Sequence, residues 1–145
     1  MRMSKYFILK PEVAGGFGEN TIMIDPSARP PLFSRFHYRF DGWLGDELLT
    51  TVACFIVTNN LCNTLRISGL SGFGIGDVEV TKSSEYKLRS STAPLPPFVW
   101  LKIEGKPGQD DFGLAPDRKC RLVVSEDALN VLKRHSLNYC EILPY

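Results

Sequence analysis

The side chains best suited to chemistry in this 145-residue chain are two histidines, four cysteines and the acidic doublets Asp46-Glu47 and Asp110-Asp111. A Ser, Thr or Cys nucleophile needs a base beside it. His37 and His135 are the only histidines, and no serine sits in a G-x-S-x-G turn. His37 alternates with Phe36, Tyr38 and Phe40, which places it on the exposed face of a strand. His135 falls in the last turn of an expected helix, where a cation is favourable without any catalytic role. An enzyme would therefore need a site assembled in space, around His37 or Cys120.

The doublets Asp46-Glu47 and Asp110-Asp111 have the chemistry of acid/base pairs. Adjacent residues point apart, however, so neither doublet is a pair in itself. The first reads as stabilisation of a helix N-terminus, the second as a turn before Phe112-Gly113. Asp111-Phe112-Gly113 matches the magnesium triplet of kinases in letters only, because the other kinase motifs are missing. Cys54, Cys62, Cys120 and Cys140 form no C-x-x-C pair. With two histidines they give no zinc spacing, so no metal or cofactor is expected, and the thiols read as reduced and partly buried. Gly15-Gly16-Phe17-Gly18 and the glycines from Gly72 to Gly76 do not lead into helices, so neither reads as a phosphate cradle. Pro94 to Pro97 contains a P-x-x-P match that reads as a stiff surface loop.

Trp43 stands in a glycine-flanked turn beside Asp41, Asp46 and Glu47. It either plugs the end of the core or serves as an aromatic anchor rimmed by acids, as protein-binding hot spots often are. Trp100, inside Phe98-Val-Trp-Leu, reads as core.

These residues must be positioned by short elements. β-like runs cover 4–10 and 21–25, the latter stopped by Pro26, and Gly15 to Gly18 mark a turn. Pro30 and Pro31 lie in an extended connector, and 36–40 alternates as a half-exposed strand. A short helix is expected over 45–49. An apolar strand over 53–57 leads to Thr58 as N-cap, a helix over 59–68 and Gly69 as C-cap. One strand is expected over 73–80, a loop over 83–97, a strand over 98–104 and a loop over 105–119. The chain closes with a strand at 122–124, Ser125 as N-cap, a helix over 126–135 and a strand over 139–143.

The last unit repeats an earlier one. Thr58 and Ser125 are separated by 67 positions, and at that offset Val57/Val124, Asn63/Asn130, Leu65/Leu132 and Leu70/Leu137 are identical. Each copy reads as strand, capped helix, strand, over about 53–80 and 121–143. A lone unit leaves its apolar helix stripe uncovered, so the two copies are expected to share one sheet and one core.

The length suits one domain, 1–145, and hydrophobic residues at 43% exclude a disordered chain. Lys+Arg 17 against Asp+Glu 16 argues against nucleic acid as partner, since phosphate contacts need a basic excess. No apolar run reaches the ~18–20 residues of a membrane helix, and 6–9 is too short for a signal-peptide core, which suggests a cytoplasmic protein with no membrane partner. The fold class expected is α+β, a mixed sheet with a few short helices.

The passages Phe55-Ile-Val-Thr … Gly-Leu-Ser-Gly and Leu122-Val-Val-Ser-Glu … Cys-Glu-Ile resemble bacterial immunity proteins of polymorphic toxin systems, in the family called immunity protein eleven. The likeness covers 55–72 and 122–142, and the first copy departs from it with Asn59 where that family has Glu. The resemblance implies a non-enzymatic binder that holds a cognate toxin protein, with a homodimer as a further possibility. Residues expected to face that partner are Asp41, Trp43, Asp46 and Glu47 in one turn, and Gln109, Asp110, Asp111 and Phe112 in another. The alternatives are a small enzyme or a structural, oligomerising module.

Overall fold

Thr58 and Ser125 set the frame of the molecule. The computed structural model describes residues 5–25, 27–28, 31–89 and 94–145. The strands are β1 (Tyr6–Lys10), β2 (Gly15–Phe17), β3 (Ile22–Asp25), β4 (Leu32–Arg35), β5 (His37–Phe40), β6 (Leu48–Thr51), β7 (Cys54–Thr58), β8 (Phe73–Gly76), β9 (Glu79–Lys82), β10 (Phe98–Ile103), β11 (Phe112–Leu114), β12 (Leu122–Ser125) and β13 (Glu141–Pro144). The helices are α1 (Asn59–Ser68), α2 (Ser84–Arg89) and α3 (Glu126–Leu132). The Thr58 and Ser125 hydroxyls accept the N–H of Leu61 and Ala128, each at 3.1 Å, and so satisfy an otherwise orphaned donor. α1 ends at Gly69 with φ +75°, a conformation that a side chain would strain. α3 stops at Leu132, short of His135.

The two repeated units lie in two sheets rather than one, which corrects the shared-sheet expectation. One sheet has the order β6-β7-β10-β8, the other β11-β12-β1-β13, and every neighbouring pair is antiparallel. The strands before and after each helix are therefore parallel, with one antiparallel strand inserted between them: β10 in the first, β1 in the second. These are two split β–α–β units of the same topology.

The shared core does form. Val57, Leu65, Leu101 and Leu48 of the first unit pack in one cluster with Val124, Leu132, Leu9 and Phe112 of the second. Strand alternation explains the choice of residues. Phe55 and Val57 face this cluster, whereas Cys54 and Ile56 face the other side of the sheet. Both faces of β7 are covered, which is why all five of its residues are buried.

That other side carries a third sheet, β2-β5-β9, in which β5 runs parallel to β9. Phe36, just before β5, and Tyr38 and Phe40 of β5 pack with Ile56, Phe98 and Trp100, together with Tyr86 from α2. Trp100 is half-buried in this aromatic layer. The result is an α+β fold of mixed sheets with a few short helices.

Several expectations change. Gly15 and Gly16 belong to β2 rather than to a turn. The helix over 45–49 does not form, because Leu48 and Leu49 enter β6 and bury on opposite faces. The run 73–80 divides into β8 and β9, which serve different sheets. The loop expected over 83–97 contains α2, and that over 105–119 contains β11. Ser4, Pro26, Pro30 and residues 90–93 of the expected loop lie outside the described residues. Among the described residues no helix is long and apolar enough to cross a membrane.

Candidate functional site

The doublets Asp46-Glu47 and Asp110-Asp111 are counterparts. Glu47 precedes β6 and Asp111 precedes β11, the edge strands of the two units. Glu47 Oε1 accepts the Thr58 hydroxyl at 2.6 Å, and Asp111 Oδ1 accepts the Ser125 hydroxyl at 2.7 Å. The carbonyl of each accepts the cap residue's N–H, at 3.0 Å and 2.9 Å. The second carboxylate oxygen of each then reaches the opposite unit. Glu47 Oε2 accepts Ser136 N–H, just beyond α3, at 3.1 Å, and Asp111 Oδ2 accepts Ser71 N–H, just beyond α1, at 2.9 Å. Each acid thus fixes its own helix cap and the exit of the other helix. A carboxylate is suited to this because it accepts on both oxygens, and charge-assisted bonds are the strong ones.

The first clasp has an addition. His135 Nδ1 lies 3.1 Å from Glu47 Oε2, and His135 Nε2 lies 2.9 Å from Thr64 Oγ1. Carboxylate, imidazole and hydroxyl stand in the contact order of a hydrolytic triad. The surroundings oppose that role. Thr64 is inside α1, where backbone N–H groups are used by the helix rather than aimed at an oxyanion. The neighbouring cleft of about 560 Å³ is lined by Trp43, Glu47, Asn60 and Pro97, with neither His135 nor Thr64 in its wall. Burial works to raise the Glu47 pKa, but hydrogen bonds from Thr58, Ser136 and Asn60, with His135 nearby, outweigh it and hold the carboxyl below its ordinary range.

Asp46 does not face outward. It is fully buried, and its two oxygens accept the N–H groups of Asn138 and Tyr139, both at 2.8 Å. Buried Glu12 accepts Leu44 N–H at 2.7 Å, and burial raises its carboxyl above the ordinary range. Trp43 is half-buried. Its ring meets Phe98 edge-on at 6.0 Å, and its Nε1–H donates to the Asp46 carbonyl at 2.8 Å. Its other flank lines a groove of about 440 Å³ with Asp41, Leu44 and Arg89. Core plug is therefore the larger share of its role, with one edge left at the surface.

In the second turn Gln109 is exposed, Asp110 is half-buried and holds Lys106 N–H at 3.0 Å, and Phe112 is wholly core, packed on Phe73. The expected outward role thus fails on burial for Asp46 and Phe112, and Glu47 and Asp111 are already engaged by the fold. Asp41, Gln109 and one side of Trp43 still meet solvent.

His37 is buried, against expectation. A side chain at Gly18 would overlap its ring, so the glycine lets the loop close over it. Asn20 N–H donates to Nδ1 at 3.2 Å, which leaves Nε2–H to donate to Thr81 Oγ1 at 2.6 Å. The four cysteines form no disulfide. Burial pushes Cys54 and Cys140 up to about 12, so neither is a thiolate at neutral pH. Among the described residues no cluster of three or more ligating side chains is placed to hold a metal.

One surface was not anticipated. Among the described residues β3 and β4 pair only with each other, with the register shifting on either side of Met23, and form a two-stranded arm. Ile22, Met23, Ile24 and Leu32 are 54%, 40%, 64% and 53% exposed there. Only Phe33 turns inward, 5.4 Å from Phe17 and 6.0 Å from Trp100. The signal was present in the consecutive apolar residues 22–24, which do not alternate as a half-buried strand should. No family model, curated protein or solved structure matches the chain.

Proposed function

We propose that the chain is a non-enzymatic immunity protein that binds and neutralises a cognate bacterial toxin in the cytoplasm. The observation that carries this reading is a division of labour. The groups with catalytic potential (His37, His135, Glu47, Asp111) serve fold contacts, whereas large apolar side chains with little packing collect on one arm. Contiguous exposed apolar surface of this kind marks interaction sites. The resemblance of 55–72 and 122–142 to immunity proteins supplies the partner class.

The test is co-expression with the polypeptide encoded by the adjoining gene. The expected result is growth arrest by that polypeptide alone, relief by this chain, and a stoichiometric complex on gel filtration. Arrest without relief overturns the reading. The contact order Glu47–His135–Thr64 favours one rival, a hydrolase. Under the binder reading Thr64→Ala leaves relief intact, whereas lost relief with a retained complex supports the hydrolase.

A further inference from the structure

Glu12 and Asp46 meet in one buried junction, where backbone N–H groups answer them. We infer that this carboxyl pair is a proton-operated latch: a proton on Glu12 tightens segment 41–47, which carries Trp43, and loss of that proton loosens it. The inference needs no partner and stands apart from the immunity reading. Three observations lead to it. First, Glu12 ties the segment to the chain that follows β1. Thr50 N–H donates to the Glu12 carbonyl at 3.0 Å and fixes its backbone. Oε2 accepts Leu44 N–H at 2.7 Å, whereas Oε1 has only a long contact, 3.4 Å, with Asp46 N–H. Oε1 is therefore placed to take a proton while Oε2 keeps the Leu44 bond. The Asp46 carboxylate ties the same segment to Asn138 and Tyr139. Second, Glu12 is 7% exposed and Asp46 fully buried, and among the described residues neither has an ion-pair partner. Two like charges in a dry junction oppose one another, and a proton on one removes the repulsion. Third, the neighbouring groups leave the titration to the pair. Burial raises the Tyr38 hydroxyl, and the Cys140 thiol to about 12, so both stay neutral. Asp41 and Arg89 line the groove beside Glu12 but reach solvent, with Arg39 4.0 Å from the first and Glu85 4.0 Å from the second. Glu47, next along the chain, is held in its own clasp. Burial, with Asp46 adding to it, outweighs the two N–H contacts and lifts the Glu12 carboxyl above its ordinary 4.5. In the opened segment Glu12 meets water and returns to that ordinary value. The closed segment thus binds the proton more tightly. It gains as pH falls toward 4.5 and loses as pH rises through the folded value, the opposite sign to Glu47.

The test reads the Glu12 carboxyl and the Leu44 amide of the free chain. Carbon-13 NMR follows the carboxyl, assigned through its own backbone signals, across a pH titration. Hydrogen exchange of the Leu44 amide at about pH 5 and about pH 7, corrected for intrinsic rates, reports opening of the segment. A Glu12 midpoint above 4.5 is expected, with Leu44 protection at least about twofold higher at the acid pH. Glu12→Gln keeps an oxygen for Leu44 N–H and carries no charge, so it should hold the higher protection at both pH values. Asp41→Asn removes the partly exposed carboxylate of the same groove and should retain the native pH dependence. A Glu12 midpoint at or below 4.5 overturns the latch, as does native protection that does not change with pH. Native pH dependence retained in Glu12→Gln assigns the opening to another group and overturns it too. If Glu12→Gln does not fold, the titration and the Leu44 protection of the native chain decide.

Discussion

The two split β–α–β units have the same strand order, the same hydroxyl cap and the same acidic clasp, yet their outer faces differ. The outer face of the first sheet is covered by an aromatic layer of Phe36, Tyr38, Phe40 and Tyr86. The outer face of the second carries its own Ile8, Val123, Tyr6 and Leu143, with Ala115 packed among them. The third sheet, the arm and α2 all belong to segments that attach to the first unit. The repeat supplies a frame, and the added segments on one side supply the surface that distinguishes the molecule. The clasps follow the same rule: both hold a cap and an exit, but only the first recruits a histidine.

The comparison is broken most severely in the shared core. Leu65 and Leu132 occupy matched helix positions and are almost wholly buried. Leu65→Ala and Leu132→Ala are each expected to cost about 3 kcal/mol, within the range for buried leucines. Urea unfolding at 25 °C measures both. Costs that differ by more than about 2 kcal/mol would mean that the helices do not share the core equally.

The clasps come next. Glu47→Ala leaves Thr58, Asn60, His135 and Ser136 without their acceptor, and Asp111→Ala leaves Ser125 and Ser71. We expect about 2–3 kcal/mol for the first and about 1–2 kcal/mol for the second. Glu47 also predicts a pH dependence. Its pKa is lower folded than the ordinary 4.5, so its contribution is fully present above that value and fades as pH falls through the lower folded value. Unfolding curves of the native chain and Glu47→Gln should therefore separate most above the ordinary value of 4.5 and converge as pH falls through the lower folded value. Curves that converge on the alkaline side instead would contradict the clasp.

The smallest effect concerns the hairpins. β6 and β7 are joined by Val52 and Ala53 alone, with φ +32° and +62°, the left-handed pattern of a type I′ turn. Such turns favour Asn-Gly, and a β-branched residue is strained there. V52N/A53G should raise stability by about 1 kcal/mol. The matching connection in the second unit, 115–121, is longer and holds a single left-handed residue, Cys120 at φ +48°. A lowered melting temperature would show that the present pair is not under strain.

Legibility followed the locality of the forces. The caps at Thr58 and Ser125, the span of α1 and its glycine stop were readable because they depend on neighbours within four residues. The repeat was readable for the same reason. The doublets stand out in the sequence, but their equivalence does not. The β6–β7 hairpin is shorter, so Glu47 and Asp111 are separated by 64 positions rather than 67, and a gapless alignment misses them. The local alternation points His37 outward, whereas its cover comes from Gly18 and Thr81, distant in sequence. The expected helix over 45–49 weighed the acids against a helix dipole, whereas their true partners lie some ninety residues on, at Ser136 to Tyr139.

The inserted strand has a consequence for connectivity. In the first unit β10 follows its helix along the chain, but in the second unit the corresponding β1 precedes everything else. β1 and β13 are neighbours, and Tyr145 N–H donates to the Tyr6 carbonyl at 3.0 Å. If the chain were joined across that contact and opened between β10 and β11, it would read as two tandem copies of one motif in a single order. The two units thus carry the same set of strands in orders related by a circular shift along the chain.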